Sequence, residues 1–174
     1  MTLLFKQLFG LFKLLNSEKG TNQIAWGIAF GFVLGMTPAF SLQTILVILI
    51  LLFFRVQIGA AMLAAFFFKF AAYLLDPVFH SVGASVLGTE SLKPLFTSLY
   101  NMPVVPWTRF YNTIVMGSGV LSLFLAPFVF FASLYLVKKY RVTVYEKFKQ
   151  SKIFKAIKAT GLYKWYSKYE EYYG

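Results

Sequence analysis

The chain has 174 residues, 59% of them hydrophobic and 13% charged, with a mean hydropathy of +0.67. Globular chains average roughly 45–50% apolar and about 25% charged, so one soluble domain of this length cannot hide the surplus, and an integral membrane protein is the class that remains. The net charge of +11 is concentrated at the end, where ten Lys/Arg from Lys138 onward meet three Glu, and the lack of cysteine excludes disulfides and thiolate metal sites.

The chain starts with MTLLFKQLFGLFKLLNS. Lys6 and Lys13 interrupt its apolar run and no small-residue cleavage site follows, so a signal peptide is not expected. On a helical wheel Thr2, Lys6, Gly10, Lys13 and Ser17 share one side, while Leu4, Phe5, Leu8, Leu11, Phe12 and Leu15 share the other. This pattern predicts an amphipathic helix over residues 1–20, lying in the membrane interface; packing on the protein's own surface is the alternative.

The membrane domain is expected over residues 21–137. An uncharged run from Ile24 to Phe54 covers 31 residues. As one helix it would be roughly 46 Å long against a hydrocarbon core of about 30 Å, too long for one span and too short for two. Pro38 divides it, because the residue before a proline avoids helical geometry. The first helix is expected to end near Met36 or Thr37, and the second to restart near Ser41. Spans follow at residues 56–75, with Lys69 as the only charge, and at 114–137; Asp76-Pro77 is expected to end the first, with Asp76 capping a new helix.

If 24–54 crosses once, the basic tail lies opposite the N-terminal lysines. If its two halves form a hairpin that enters and leaves by one face, the N-terminal lysines, Arg55 and the +7 tail share a side, opposite a loop at 76–113 whose Asp76, Glu90, Lys93 and Arg109 sum to zero. The positive-inside rule favours the hairpin, with the basic side and both termini cytoplasmic. The expected fold is therefore all-α: an interfacial helix, a re-entrant helical hairpin, two full transmembrane helices, a loop across the membrane (periplasmic if the membrane is the bacterial inner one) and a basic amphipathic tail. In that loop, residues 89–100 suit a short amphipathic helix capped by Thr89 and broken at Pro94, and Pro103 and Pro106 mark a turn.

Gly27, Gly31 and Gly35 recur every fourth residue and make one smooth helix face. Small residues at that spacing let helix backbones approach, with the hairpin's second arm or the following span as partner. Irregular backbone around Pro38 needs cover at membrane depth, and Ser41, Gln43 and Thr44 can supply hydrogen bonds there. Lys69, 13 residues beyond Val56, falls level with this tip, roughly 20 Å in. An intramembrane lysine is a site candidate by default. Lys69 with Ser41, Gln43 and Thr44 can anchor the tip structurally or bind an anionic group such as a lipid phosphate; snorkelling to the outer face is a third option. One histidine, one aspartate and no cysteine do not assemble a metal site, a catalytic triad or an aspartyl pair, so neither enzyme activity nor a cofactor is expected.

The tail, residues 138–174, sets Lys152, Lys155 and Lys158 on one helix face and Ile153, Phe154 and Ile157 on the other, and then adds Trp165 and several tyrosines. Beside a span, basic and aromatic residues suit membrane phospholipids rather than nucleic acid.

The run GIAFGFVLGMTPAFSLQT, the later DP and the later LG together resemble a bacterial membrane family catalogued as a domain of unknown function. Its pattern has spaced glycines, G-x-x-P-x-x-G-x-Q, a second apolar segment ending in Asn-Pro, and a final span. Gly27, Gly31, Gly35, Pro38, Gln43, Pro77 and Gly88 match; Ser41 replaces a glycine and Asp76 an asparagine. The resemblance covers roughly residues 20–140, and implies an inner-membrane address, a shared hairpin and no enzyme. The expected function is a non-catalytic inner-membrane subunit that handles or docks lipid for an envelope assembly, as a homo-oligomer or with a larger partner. A channel or carrier for a small ion or solute, and a structural scaffold, are the alternatives.

Overall fold

A computed structural model describes residues 15, 20–39, 41–54 and 56–145. The expected interfacial helix at 1–20 falls almost wholly outside them, as do Lys6, Lys13, Arg55 and the tail residues Lys152, Lys155, Lys158 and Trp165. The chain divides into two units, 1–137 and 138–174. The described residues are all-helical, with no strand: α1 (Thr21–Met36), α2 (Leu42–Phe53), α3 (Ile58–Leu87), α4 (Lys93–Tyr100) and α5 (Thr113–Tyr140). Short 3-10 turns occupy Glu90–Leu92 and Val105–Thr108, and a π turn, Arg141–Tyr145, follows α5.

The glycine ladder sets the relation between α1 and α3. A Cβ on Gly27 would meet Gln57, Ala60 and Ala61; on Gly31, Ala61 and Ala64; on Gly35, Ala65 and Phe68. Of the two partners open to the glycine face, the following helix is the one it packs on. Both series rise together, so α1 and α3 run parallel. The Gln57 amide donates to the Gln23 carbonyl at 3.2 Å, which holds the two starts level. The chain therefore climbs along α1, returns over α2 and climbs again in α3. At 1.5 Å per residue α1 is roughly 24 Å long and α2 roughly 18 Å.

α5 runs antiparallel to α3. A Cβ on Gly83 would overlap the Thr113 carbonyl, and one on Gly117 the Phe79 carbonyl. At the other end Val137 packs with Ile24 and Ala60, and the Trp26 and Phe130 rings lie 4.2 Å apart. The core between these seams holds Phe32, Val33, Met36, Val47, Leu51, Ala61, Ala72 and Phe79.

Most of the remaining apolar surface points outward. In α3 and α5 only 22% and 17% of the most apolar 18-residue windows are buried, and both helices are long and apolar enough to cross a membrane. A core helix of a soluble protein would bury those windows; these leave Leu74, Phe124, Phe128 and Phe131 exposed, as lipid contact allows. α2 likewise exposes Leu52 and Phe53.

Three boundaries differ from those read in the sequence. The helix that carries the 56–75 apolar run continues through Asp76 and Pro77 to Leu87, so Asp76 caps nothing and the connecting loop begins at Gly88. Buried Ala72 and Phe79 clamp α3 on either side of the proline, and Pro77 itself is exposed. The apolar run stops where the environment changes, not where the helix does. Pro94 lies in the first turn of α4 instead of breaking it, which suits a residue with no amide proton to offer. Thr89 makes no cap bond; its hydroxyl donates to the Ser85 carbonyl at 2.9 Å.

Candidate functional site

The break between α1 and α2 is built by local chemistry. Thr37 precedes Pro38 and is extended, with φ −90° and ψ 149°, so α1 stops at Met36. Ser41 is also extended, and its hydroxyl accepts from the Thr44 amide at 3.2 Å, an N-cap that starts α2. Thr37, Ser41 and Thr44 are all buried.

The protons of these three hydroxyls can be assigned. Thr44 Oγ1 donates to the Pro38 carbonyl at 2.9 Å, and Ser41 Oγ donates to Thr44 Oγ1 at 3.0 Å. The Thr37 hydroxyl proton then lies between the Val33 carbonyl at 2.8 Å and Thr44 Oγ1 at 2.9 Å. Each hydroxyl has one proton, so none is left for another group. The Pro38 carbonyl also accepts from the Ser41 amide at 3.2 Å. The three hydroxyls thus serve the Val33 and Pro38 carbonyls and the Thr44 amide beside the proline.

The Thr37 carbonyl is met from α3: Lys69 Nζ donates to it at 3.1 Å. The ammonium thus sits at the C-terminal, partly negative end of α1, where a cation is favoured. An ammonium has three donors. Among the described residues Thr37 takes one, leaving two on a half-buried side chain.

The structure thus brings Ser41, Thr44 and Lys69 together around Pro38, and separates Gln43 from them. The Gln43 side chain packs on α5, where a Cβ at Gly119 would overlap its amide nitrogen. Its buried Oε1 has no partner among the described residues. Thr37, which supplies both a hydroxyl and the carbonyl that Lys69 meets, was not among the candidates. Its position directly before Pro38 was the available signal, because the residue before a proline is pushed out of helical geometry.

Further along α3, Asp76 and His80 stand seven and eleven residues beyond Lys69, on the same helix face at 3.6 residues per turn. Asp76 is half-buried and makes no hydrogen bond or ion pair among the described residues; His80 Nδ1 lies 2.7 Å from Thr113 Oγ1 at the start of α5. No group of His, Asp or Glu suited to a metal ion occurs among the described residues.

On the other side of the break, Pro38 and Ala39 form one wall of a cavity of about 280 Å³, whose other walls are Arg109, Asn112, Ile114 and Val115. Arg109 is in the left-handed region, φ 54°. Its backbone is tied on both sides, Arg109 N donating to the Pro106 carbonyl at 3.0 Å and Asn112 N to the Arg109 carbonyl at 2.9 Å. Asn112 Oδ1 accepts from the amides of Ile114 at 2.9 Å and Val115 at 3.2 Å, capping α5.

Fold and site together define an all-helical protein with two helices able to cross a membrane and a polar helix break docked by a lysine. The chain belongs to the family described as an uncharacterized protein conserved in bacteria, DUF2062, whose model matches residues 7–145. This is a bacterial family of unknown function, and its match takes in part of the N-terminal segment that the sequence resemblance left out. A similar chain is an uncharacterized protein of Treponema pallidum (strain Nichols), 28% identical over 151 residues, covering 87% of this chain and 93% of that one. No solved structure matches.

Proposed function

We propose that the protein is a non-catalytic subunit of the bacterial inner membrane that docks phospholipid for an envelope assembly. In this reading α1 and α2 form a re-entrant hairpin that enters and leaves by the cytoplasmic face, and α3 and α5 cross fully. The parallel course of α1 and α3 supports it, because the chain must come back between them. Charge supports the orientation: α5 ends in Lys138 and Lys139 and Arg141 follows, whereas the loop from Gly88 to Asn112 carries two cations and one anion. Both termini are then cytoplasmic, and the basic tail meets anionic headgroups.

The observation that carries the lipid reading is Lys69. A half-buried ammonium at membrane depth, with two donors beyond its bond to Thr37, calls for an anionic group. A lipid phosphate supplies one. Ser41 and Thr44 hold the break in shape, Gln43 braces it against α5, and Lys69 makes the contact. A second copy or a larger envelope protein covers the outward faces of the small bundle.

Phospholipid travelling with the purified chain, measured by native mass spectrometry, tests this. Lys69→Ala is expected to lower bound phospholipid while the chain still assembles. Unchanged phospholipid with lower stability contradicts lipid docking and leaves a scaffold. A second reading, an oligomeric channel or carrier for a small ion or solute, is favoured by the single face of α3 that holds Lys69, Asp76 and His80. A change of ion flux in reconstituted vesicles on Lys69→Ala, without loss of lipid, selects it.

A further inference from the structure

We infer that the cavity between Pro38–Ala39 and Arg109–Asn112 is a second lipid site, separate from Lys69, which takes the phosphate of an outer-leaflet phospholipid headgroup. The inference rests on the topology proposed above for the side on which the cavity opens.

The first argument is the chemistry of the walls. Arg109 is exposed and makes no ion pair among the described residues. Its guanidinium offers five donors and no acceptor. Asn112 spends its carbonyl oxygen on two amides of α5, so its amide group is left as a donor. The Pro38 carbonyl on the facing wall is already met twice, by the Ser41 amide and the Thr44 hydroxyl. Ile114 and Val115 complete the lining with apolar surface. Donors beside a guanidinium fit an anion, and a guanidinium pairs with phosphate in bidentate fashion.

Size and depth then choose the source. At 280 Å³ the cavity lies just under the range of about 300–1,000 Å³ typical of pockets that enclose a whole small molecule, so it suits a headgroup whose chains stay outside. α1 places the break roughly 24 Å along a path through a hydrocarbon core of about 30 Å, so the cavity lies in the outer half. Arg109 is bracketed two residues either side by Trp107 and Tyr111, which are 82% and 51% exposed. Exposed aromatics of this kind settle at headgroup level. A phosphate held there has its acyl chains free to lie along exposed apolar side chains.

Native mass spectrometry of the full chain, titrated with phosphatidylglycerol, tests the site. Arg109→Gln is expected to weaken one phosphatidylglycerol site by about tenfold, the size of one lost charge-assisted contact. Arg109→Lys should recover part of that loss. A photoreactive headgroup on the same lipid should label the peptides holding Pro38–Ala39 and Arg109–Asn112, and should label them less in Arg109→Gln. If Arg109→Gln binds as the parent chain does, the cavity site is wrong even where Lys69→Ala loses lipid. If Lys69→Ala keeps all its lipid and Arg109→Gln loses some, the cavity stands and the Lys69 site falls. If inorganic phosphate displaces the lipid or binds as tightly, the source is a soluble anion and the lipid assignment is overturned.

Discussion

Pro38 and Pro77 lie in one chain, each after a polar residue and beside a long apolar run, yet α1 stops at the first and α3 passes through the second. The difference lies in what surrounds the freed backbone. Around Pro38, Thr37, Ser41 and Thr44 provide three hydroxyls and Lys69 provides an ammonium, which meet the Val33, Pro38 and Thr37 carbonyls and the Thr44 amide. Around Pro77 no such set exists. A helix through a proline loses one amide bond, here to the exposed Tyr73, while buried Ala72 and Phe79 hold the strand of chain on both sides. A proline ends a membrane helix when local chemistry can finish the ends, and is carried along when packing outweighs one missing bond.

Five substitutions at four positions probe that contrast, each read as unfolding free energy in bicelles. The largest effect is expected at the seam that carries α3 past Pro77. Gly117→Leu forces a side chain against the Phe79 carbonyl and should cost about 3 kcal/mol, the upper end of overpacking losses. A loss well below this would mean that the α3–α5 seam does not hold the proline. Lys69→Ala leaves the Thr37 carbonyl without its partner and should cost about 2 kcal/mol, the usual worth of a charged hydrogen bond. Ser41→Ala removes the cap of α2 for about 1 kcal/mol, and Ser41→Gly should cost only a few tenths. The smallest effect has the opposite sign. Pro77→Ala restores a helical amide and should stabilise by about 0.5–1 kcal/mol, within the penalty a helix pays for proline. Destabilisation by Pro77→Ala would show that the proline has a structural purpose.

Much of the membrane part was legible. The end of α1 at Met36 and the start of α2 just after Ser41 follow from Pro38 and a capping serine, signals that act over three or four residues. The second helix long and apolar enough to cross a membrane was legible for the same local reason, an unbroken apolar run that became Thr113–Tyr140. What escaped depends on distant contacts. The span of α3 beyond Leu75 is set by Phe79 and Gly83 meeting Gly117, which lies more than thirty residues further along the chain. The glycine face of α1 could have met either neighbour, and only the alanines of α3 show which surface was small enough. Gln43 looked like a member of the polar tip, but its side chain leaves the break for Gly119, a contact no periodicity displays. Arg109 stood out in the sequence only as a loop charge, because its place opposite Pro38 comes from how the loop folds back.

Single-cysteine labelling tests the hairpin most directly, since the chain has no cysteine of its own. Arg55→Cys, between α2 and α3, and Ser98→Cys, on α4, are exposed in turn to a thiol reagent that does not cross the membrane, from either side. Arg55→Cys should react only from the cytoplasm, together with a cysteine placed at Lys139, and Ser98→Cys only from outside. Reaction of Arg55→Cys from outside while the Lys139 position reacts from the cytoplasm would mean that α1 and α2 cross once, and the re-entrant hairpin would be wrong.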